Sequence, residues 1–407
     1  MRIFITSHNA RNGGGISVAR NLIAAFGRVA PHHDYFITIP PDLGYEECCQ
    51  AAPRCQYLAY RHSQQHWSSG QVKRWRWETS ALPAIVRQFR PDVIFNMANR
   101  GFLFPPAPQA TLIMDAHLFY PFSQFGRISL KDRMMFHYHR RHLRKSLRHT
   151  QLLFCMTSVG ASRLRACYRT GVPISLCPNH FSAYACQPAT ASKVPATLQP
   201  LQDRFKLFVL THYYPHKNLE IIPRVFERYR KELEGVVVVL TISPEQSPQA
   251  RRLLATIRAK GLGGSIVSVG PLPQEDLAAH YTYTDALFLP TLLELFSGTY
   301  VEAMTYGRPI LTSDMDFSRA VCGNAAEYFD PLAPQSICQS ILRLKNDPEL
   351  RRRLVEAGRA MLQARRFSWD EIGQDVINGL EELVTPKCRD IATTSTQQIF
   401  GSVAPRV

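Results

Sequence analysis

The densest chemical signal in the chain is the run Glu294-Leu295-Phe296-Ser297-Gly298-Thr299-Tyr300-Val301-Glu302-Ala303-Met304. Two carboxylates stand with seven residues between them, and among these Ser297 and Gly298 open a helix. The first amides of a helix have no intrahelical partner, so its start holds anions, and Glu302 falls about one turn inside it. Ionised carboxylates accept paired hydrogen bonds, so Glu294 and Glu302 suit hydroxyl groups presented by one ligand from two sides. Taken singly, Glu294 reads equally well as an N-terminal helix charge and Glu302 as a surface residue.

Two further segments have the right chemistry for an anion. Tyr213-Tyr214-Pro215-His216-Lys217-Asn218 follows an apolar strand and opens a helix, which places Lys217 where it can neutralise a diphosphate. Asn12-Gly13-Gly14-Gly15-Ile16-Ser17 follows the strand at residues 3–6 and precedes a helical pattern over 18–26. Glycines at such a turn let backbone N–H groups approach a phosphate, although the run is not the GxGxxG fingerprint of nicotinamide binding.

The elements that must position these residues follow an alternating α/β pattern. Strands are expected at residues 3–6, 35–39, 93–96, 111–114 and 152–156, and again at 205–210, 236–242, 266–269, 286–289, 309–312 and 327–329. Helices are expected at 219–234, 248–260, 298–306, 348–364 and 368–384, the last two closing the second series. A chain of 407 residues exceeds what one core usually serves. The division is a first domain over 1–180, a linker and hinge over 181–203 rich in Ala, Pro, Ser, Thr and Gln, a second domain over 204–385, and a flexible tail over 386–407. Ligands of open parallel sheets bind beyond the carboxyl ends of the strands, so two such domains imply a cleft.

At 45% hydrophobic and 20% charged residues the composition excludes wholesale disorder. No apolar run is long enough to span a bilayer and no leader precedes the first strand, and the ten cysteines have neither zinc nor disulfide spacing, so a reducing cytoplasm is expected. The net charge of +16 is lopsided: residues 1–180 hold 23 Lys and Arg against 8 Asp and Glu, and residues 181–407 hold 25 against 24. The densest stretch, residues 127–150, interleaves Arg127, Lys131, Arg133, Arg140, Arg141, Arg144, Lys145 and Arg148 with Met134, Met135, Phe136, Leu143 and Leu147. A second patch mixes Trp67, Trp75 and Trp77 with Lys73, Arg74 and Arg76. Such a surface suits the anionic inner face of a membrane, and equally a solvated helix face; nucleic acid would feel the same field. His137, His139, His142 and His149 lack the acidic or cysteine partners of a metal site.

On these residues the chain resembles the family 4 retaining glycosyltransferases (glycosyl transferases group 1). Their GT-B fold is α/β, with two Rossmann-like domains facing across a cleft. The Glu-x7-Glu run is followed by Gly307-Arg308-Pro309-Ile310, Ser313-Asp314 and the segment from Gly323 to Pro331, as in that family. Val269-Gly270-Pro271-Leu272-Pro273 and Asp285-Ala286 fit the same pattern, which covers residues 204–385 and, more faintly, 1–180. The resemblance implies a nucleoside diphosphate sugar donor, a glycan or lipid-linked acceptor, and transfer to an acceptor hydroxyl with retained configuration, in cell-surface polysaccharide or glycolipid assembly. It implies no metal. Glu294 would lie against the donor sugar and Glu302 on the ribose, with the main chain at Phe296, Ser297 and Gly298 holding sugar and diphosphate. Lys217 would contact the diphosphate, Gly14 or Gly15 would close on it, and the base would sit near Gly270 and Leu272. Two positions depart from the family. His212 stands where an arginine is usual, and the expected His-Asp pair reads Met114-Asp115-Ala116-His117, so His117 either substitutes for the histidine beside Asp115 or the role is absent. The competing expectations are a sugar-nucleotide epimerase on the same fold and a basic protein that binds acidic polysaccharide or nucleic acid.

Overall fold

The computed structural model describes residues 1–11, 13–61, 76–126, 128–180, 193–364 and 368–385. Asn12, Arg127, the Trp67–Trp75 part of the second basic patch, residues 181–192 of the expected linker and the expected tail at 386–407 lie outside them.

The first sheet contains β1 (Arg2–Thr6), β2 (Asp34–Ile39), β3 (Cys55–Ala59), β4 (Val93–Asn96), β5 (Gln109–Ile113), β6 (Leu152–Cys155) and β7 (Ile174–Leu176), in the order β3-β2-β1-β4-β5-β6-β7. Its helices are α1 (Gly13–Val29), α2 (Tyr45–Gln50), α3 (Leu82–Phe89), α4 (Leu130–Ser146) and α5 (Ser158–Tyr168), with one π-helical turn at Trp77–Ala81 leading into α3. The second sheet holds β8 (Phe205–Val209), β9 (Val236–Leu240), β10 (Ile266–Ser268), β11 (Ala286–Leu289), β12 (Ile310–Ser313) and β13 (Ala326–Phe329), in the order β10-β9-β8-β11-β12-β13. Its helices are α6 (Ile221–Arg228), α7 (Pro248–Ala259), α8 (Leu277–Tyr283), α9 (Gly298–Thr305), α10 (Asp316–Cys322), α11 (Pro334–Asn346) and α12 (Pro348–Ala364).

Among the described residues every strand pairing is parallel. Central strands are therefore covered by helices on both faces and read as unbroken apolar runs; β9, Val-Val-Val-Val-Leu, is buried throughout. The strand order reverses between β1 and β4 in one sheet and between β8 and β11 in the other. Those are the switch points where crevices open at the carboxyl ends of strands.

The last helix, α13 (Trp369–Val384), corrects the expectation that it closes the second domain. Its buried stripe of Trp369, Ile372, Val376, Ile377 and Leu380 belongs to the core of the first sheet. Gly373 sits so close to α1 that an added Cβ would lie 2.8 Å from the Ala25 Cβ. Arg28 donates to Asp370 at 2.9 Å alongside. Residues 193–203 differ from a free linker as well: Leu198 and Leu201 are buried in the core of the second sheet. The elements around the two sheets also touch, since Asp316 at the start of α10 accepts from the Tyr120 hydroxyl at 2.9 Å and from Arg163 Nε of α5 at 2.6 Å.

Candidate functional site

At the switch point of the second sheet, the loop after β8 carries Lys217 and the loop after β11 carries Glu294. The two side chains meet: Lys217 Nζ and the Glu294 Oε1 oxygen form an ion pair, each side chain 16% exposed. Local geometry forces the meeting. Pro215–Lys217 is a tight 3-10 turn, and its His216 carbonyl accepts from Leu292 N at 2.7 Å and from Thr291 Oγ1 at 3.2 Å, lacing the two loops together. Asn218 ends the turn at φ +55, a left-handed conformation that asparagine tolerates.

Three residues on, Ser297 is the N-cap of α9, with extended backbone and no side-chain capping bond. Its hydroxyl pairs instead with Thr299 Oγ1 at 2.8 Å, so no side chain caps the first amides of α9. Phe296 is wedged between the two cores, and Leu295 packs beside Gly160 at the start of α5. Glu302 is on the next turn of α9, where Tyr281 of α8 donates to its Oε2 at 2.9 Å. Burial raises the Glu302 pKa, and the Tyr281 bond opposes that. Gly270 adopts φ +78 after β10 with nothing within 4 Å of an added Cβ, and Leu272 packs on the same core as Phe296.

From the first sheet, Asp115 and His117 leave the end of β5. Asn99, at φ +65 in the loop after β4, accepts from Met114 N at 2.5 Å and Asp115 N at 3.0 Å, and donates to Asp115 Oδ2 at 2.8 Å. His117 Nδ1 lies 3.8 Å from Asp115, and its Nε2 lies 3.3 Å from His139 Nδ1 of α4. Burial lowers the His117 pKa, which keeps the ring neutral. The segment that follows packs against the other domain, with an added Cβ on Gly126 falling 3.3 Å from the Pro215 carbonyl. Charge is felt across the gap. The Tyr214 pKa is raised by burial and then by Asp115, and that of His216 is lowered to about 3 by burial, then by Lys217 and His117. His212, Tyr214 and His216 form a ladder of rings, 5.1 Å and 5.4 Å between successive centroids, and burial lowers the His212 pKa.

Lys217 and Glu294 thus meet beside the helix start at Ser297 and Gly298, while Asp115 and His117 pair with each other and act on Tyr214 and His216 through their charge. Gly14 and Gly15 stand in the first turn of α1, Gly14 with nothing within 4 Å of an added Cβ and Gly15 facing Met114 with 3.9 Å between an added Cβ and Met114 Cε. Sequence reasoning missed Asn99, Tyr281 and the Tyr120–Arg163–Asp316 contact. An asparagine just past a strand end is a turn signal that pointed at the first; the other two depend on tertiary pairing. Among the described residues one group of three side chains could share a metal ion, His32, His33 and Glu381. It lies at the start of β2, the opposite edge of the sheet from the site.

The fold and site define a GT-B protein: two parallel Rossmann-like sheets with an anion-suited helix start and an ion pair at the facing switch point. Residues 193–361 match the model of the family described as glycosyl transferases group 1. The chain is 27% identical over 193 residues to the serotype-specific mannosyltransferase WbdA of Escherichia coli, covering 46% of this chain and 23% of that protein. It is 30% identical over 120 residues to the O-antigen chain mannosyltransferase B of E. coli, covering 30% and 31%. The chain therefore spans about a quarter to a third of these curated relatives. Among solved structures, sucrose-phosphate synthase of Thermosynechococcus elongatus superposes with a TM-score of 0.73 at 16% identity over 94% of this chain and 99% of that one. Anabaena HepE, in complex with UDP-glucose, gives 0.72 at 15% identity over 94% and 100%.

Proposed function

We propose that the chain is a retaining glycosyltransferase that moves a sugar from a nucleoside diphosphate donor to an acceptor hydroxyl in the assembly of a surface polysaccharide or glycolipid. The observation that carries the reading is the Lys217–Glu294 pair beside the start of α9. Two opposite charges held together in a half-buried crevice are exchangeable: an arriving diphosphate takes Lys217 and the amides of Ser297 and Gly298, which releases Glu294 to sugar hydroxyls. The bond from the anomeric carbon to the leaving phosphate oxygen breaks, the acceptor oxygen bonds on the same face, and the acceptor proton passes to that phosphate oxygen. Lys217 and the helix start stabilise the charge that grows on the diphosphate, and no metal is required. Glu302 with Tyr281 suits the ribose, Gly270 and Leu272 the base, Gly14 and Gly15 the diphosphate from the other side, and Asp115 with neutral His117 the transferred sugar. His212 replaces a permanent cation by a ring that is neutral near pH 7.

A panel of nucleotide sugars read by thermal shift tests the donor, since a ligand at about 100 times its Kd adds about 2.7 kcal/mol. Glu294→Gln and Lys217→Ala should each lower transfer by about a hundredfold or more with the melting temperature kept. Unchanged turnover in both variants overturns the mechanism.

The acceptor reading extends to the inner face of a membrane. On the outer side of α4, Leu130, Met134 and Tyr138 are 75%, 65% and 47% exposed at four-residue spacing, followed on the same helix by Arg141, Arg144 and Lys145. An exposed apolar stripe beside cations suits an anionic bilayer, each basic side chain contributing about 1 kcal/mol. No described helix is long and apolar enough to cross a membrane. Sedimentation with vesicles containing anionic lipid, but not with neutral ones, is the expected result, and Leu130→Ser with Met134→Ser should abolish it.

A further inference from the structure

Away from the transfer groups, at the opposite edge of the first sheet, one cluster of side chains has ligand chemistry that no step of the mechanism uses. Ala30-Pro31-His32-His33 makes a tight turn before β2, with His33 N donating to the Ala30 carbonyl at 3.2 Å. Proline at the second position of the turn pre-sets its backbone. The turn sets two adjacent imidazoles side by side, their ring centroids 4.1 Å apart. Asp34 N, one residue on, donates to the Met1 carbonyl at 3.0 Å and anchors the turn beside β1.

The third group arrives from 348 residues further along the chain, on the last turn of α13. Glu381 Oε1 lies 3.0 Å from His33 Nε2. One donor atom each of His32, His33 and Glu381 lies within 4.8 Å of the other two. The His33 ring is buried, the Glu381 carboxylate is half-buried and His32 faces solvent, which leaves a small ion a path into the cluster. An ion pair between His33 and Glu381 uses two of the three groups and gives the second imidazole no role. A divalent cation uses all three, taking a lone pair from each neutral ring and charge from the carboxylate.

We propose that His32, His33 and Glu381 form a zinc-type metal site that fastens the last turn of α13 to the first sheet. Two imidazoles and a carboxylate select a borderline transition ion over Mg2+ or Ca2+, which take oxygen ligands. Ligands on a tetrahedral zinc stand about 3.4 Å apart. The His33–Glu381 spacing is already close to that, and His32, being exposed, can turn into place. Water supplies the fourth position. His33 Nδ1, the nitrogen turned away from Glu381, lies 3.2 Å from the Met1 nitrogen, so a partner behind the ring sets its orientation. The other end of α13 is held by Arg28 on Asp370, and the ion completes a clamp on the helix that returns to the first domain. The site stands or falls independently of the donor reading.

The test uses the full chain, freed of metal by a chelator, with Zn2+ as the probe and Mg2+ as the comparison. Isothermal titration should give one Zn2+ per chain. Zn2+ but not Mg2+ should raise the melting temperature, because an ion held only by the folded chain stabilises it by mass action. Hydrogen exchange should slow at the amides of residues 378–385 when Zn2+ is added. His32→Ala, at an exposed position that leaves the fold intact, should lose both the thermal shift and the slowed exchange, as should Glu381→Gln. No uptake of Zn2+ by the wild type overturns the site. Uptake that both variants retain, or that leaves exchange in α13 unchanged, overturns it too, by assigning the ion to other groups such as the exposed Cys167 thiol.

Discussion

Asn99 does the work of three hydrogen bonds from a backbone conformation that few side chains adopt, accepting from two successive amides and donating to the Asp115 carboxylate. Asn99→Ala should therefore cost about 2 kcal/mol of stability and lower transfer about tenfold through Asp115. Asn99→Gly, which tolerates φ +65 but has no side-chain amide, should recover only the part of that loss due to backbone strain in urea unfolding, without recovering turnover. His216 gives a pH signature. Its folded pKa, near 3, lies below the ordinary 6.5, so on acidification the unfolded chain takes up a proton that the folded chain refuses. Stability contributed by the neutral ring is present above pH 6.5 and is lost as pH falls from there towards 3. Urea midpoints at pH 7 and pH 5 should differ by about 1 kcal/mol less in His216→Asn than in the wild type. An equal pH dependence in the two proteins would show that the ring is not held neutral.

At the scale of elements, α13 is where the chain returns to the first sheet. Gly373→Val would drive a side chain into Ala25 of α1, at a net cost of about 2 kcal/mol. Thermal unfolding should report it as a lowered midpoint; a midpoint at or above that of the wild type would mean α13 is not seated as described. The same helix marks the limit of what the sequence discloses. Its apolar periodicity over 368–384 was legible, as were β4 and β11 to the residue, because period and composition are local. Which sheet an apolar stripe covers is decided by surfaces far away in the chain, so α13 read as part of the second domain. Strands β3 and β7 escaped for a different reason: both are sheet edges with partly exposed residues, Cys-Gln-Tyr-Leu-Ala and Ile-Ser-Leu, without the apolar run of a central strand. The loops bearing Lys217 and Glu294 were legible because glycine, proline and charge punctuate strand ends. The Lys217–Glu294 pairing was not, since it depends on β8 and β11 being neighbours across the switch point.

At the scale of the molecule, the Asp316 carboxylate holds two parts of the first domain to one corner of the second. Tyr120 lies three residues beyond His117, and Arg140 of α4 donates to the carbonyls of both, so the contact ties the His117 loop to domain position. Arg163 reaches Asp316 with its guanidinium 4.2 Å above the Tyr120 ring, so three groups share one contact. The pair is about one-third exposed, which limits its worth to about 1 kcal/mol for the charges, with a comparable amount for the tyrosine bond. A difference near 1.4 kcal/mol moves a two-state ratio about tenfold. If the contact favours the closed cleft, Asp316→Ala should raise the population of open molecules by that factor without unfolding either sheet. Small-angle scattering should then record a larger radius of gyration in the free protein, reversed by saturating donor. Transfer should lose efficiency at low donor concentration and recover most of it at high concentration, because closure excludes water and completes the site only once donor binding has offset the missing contact. A variant with unchanged scattering and unchanged donor dependence would place the closing force elsewhere.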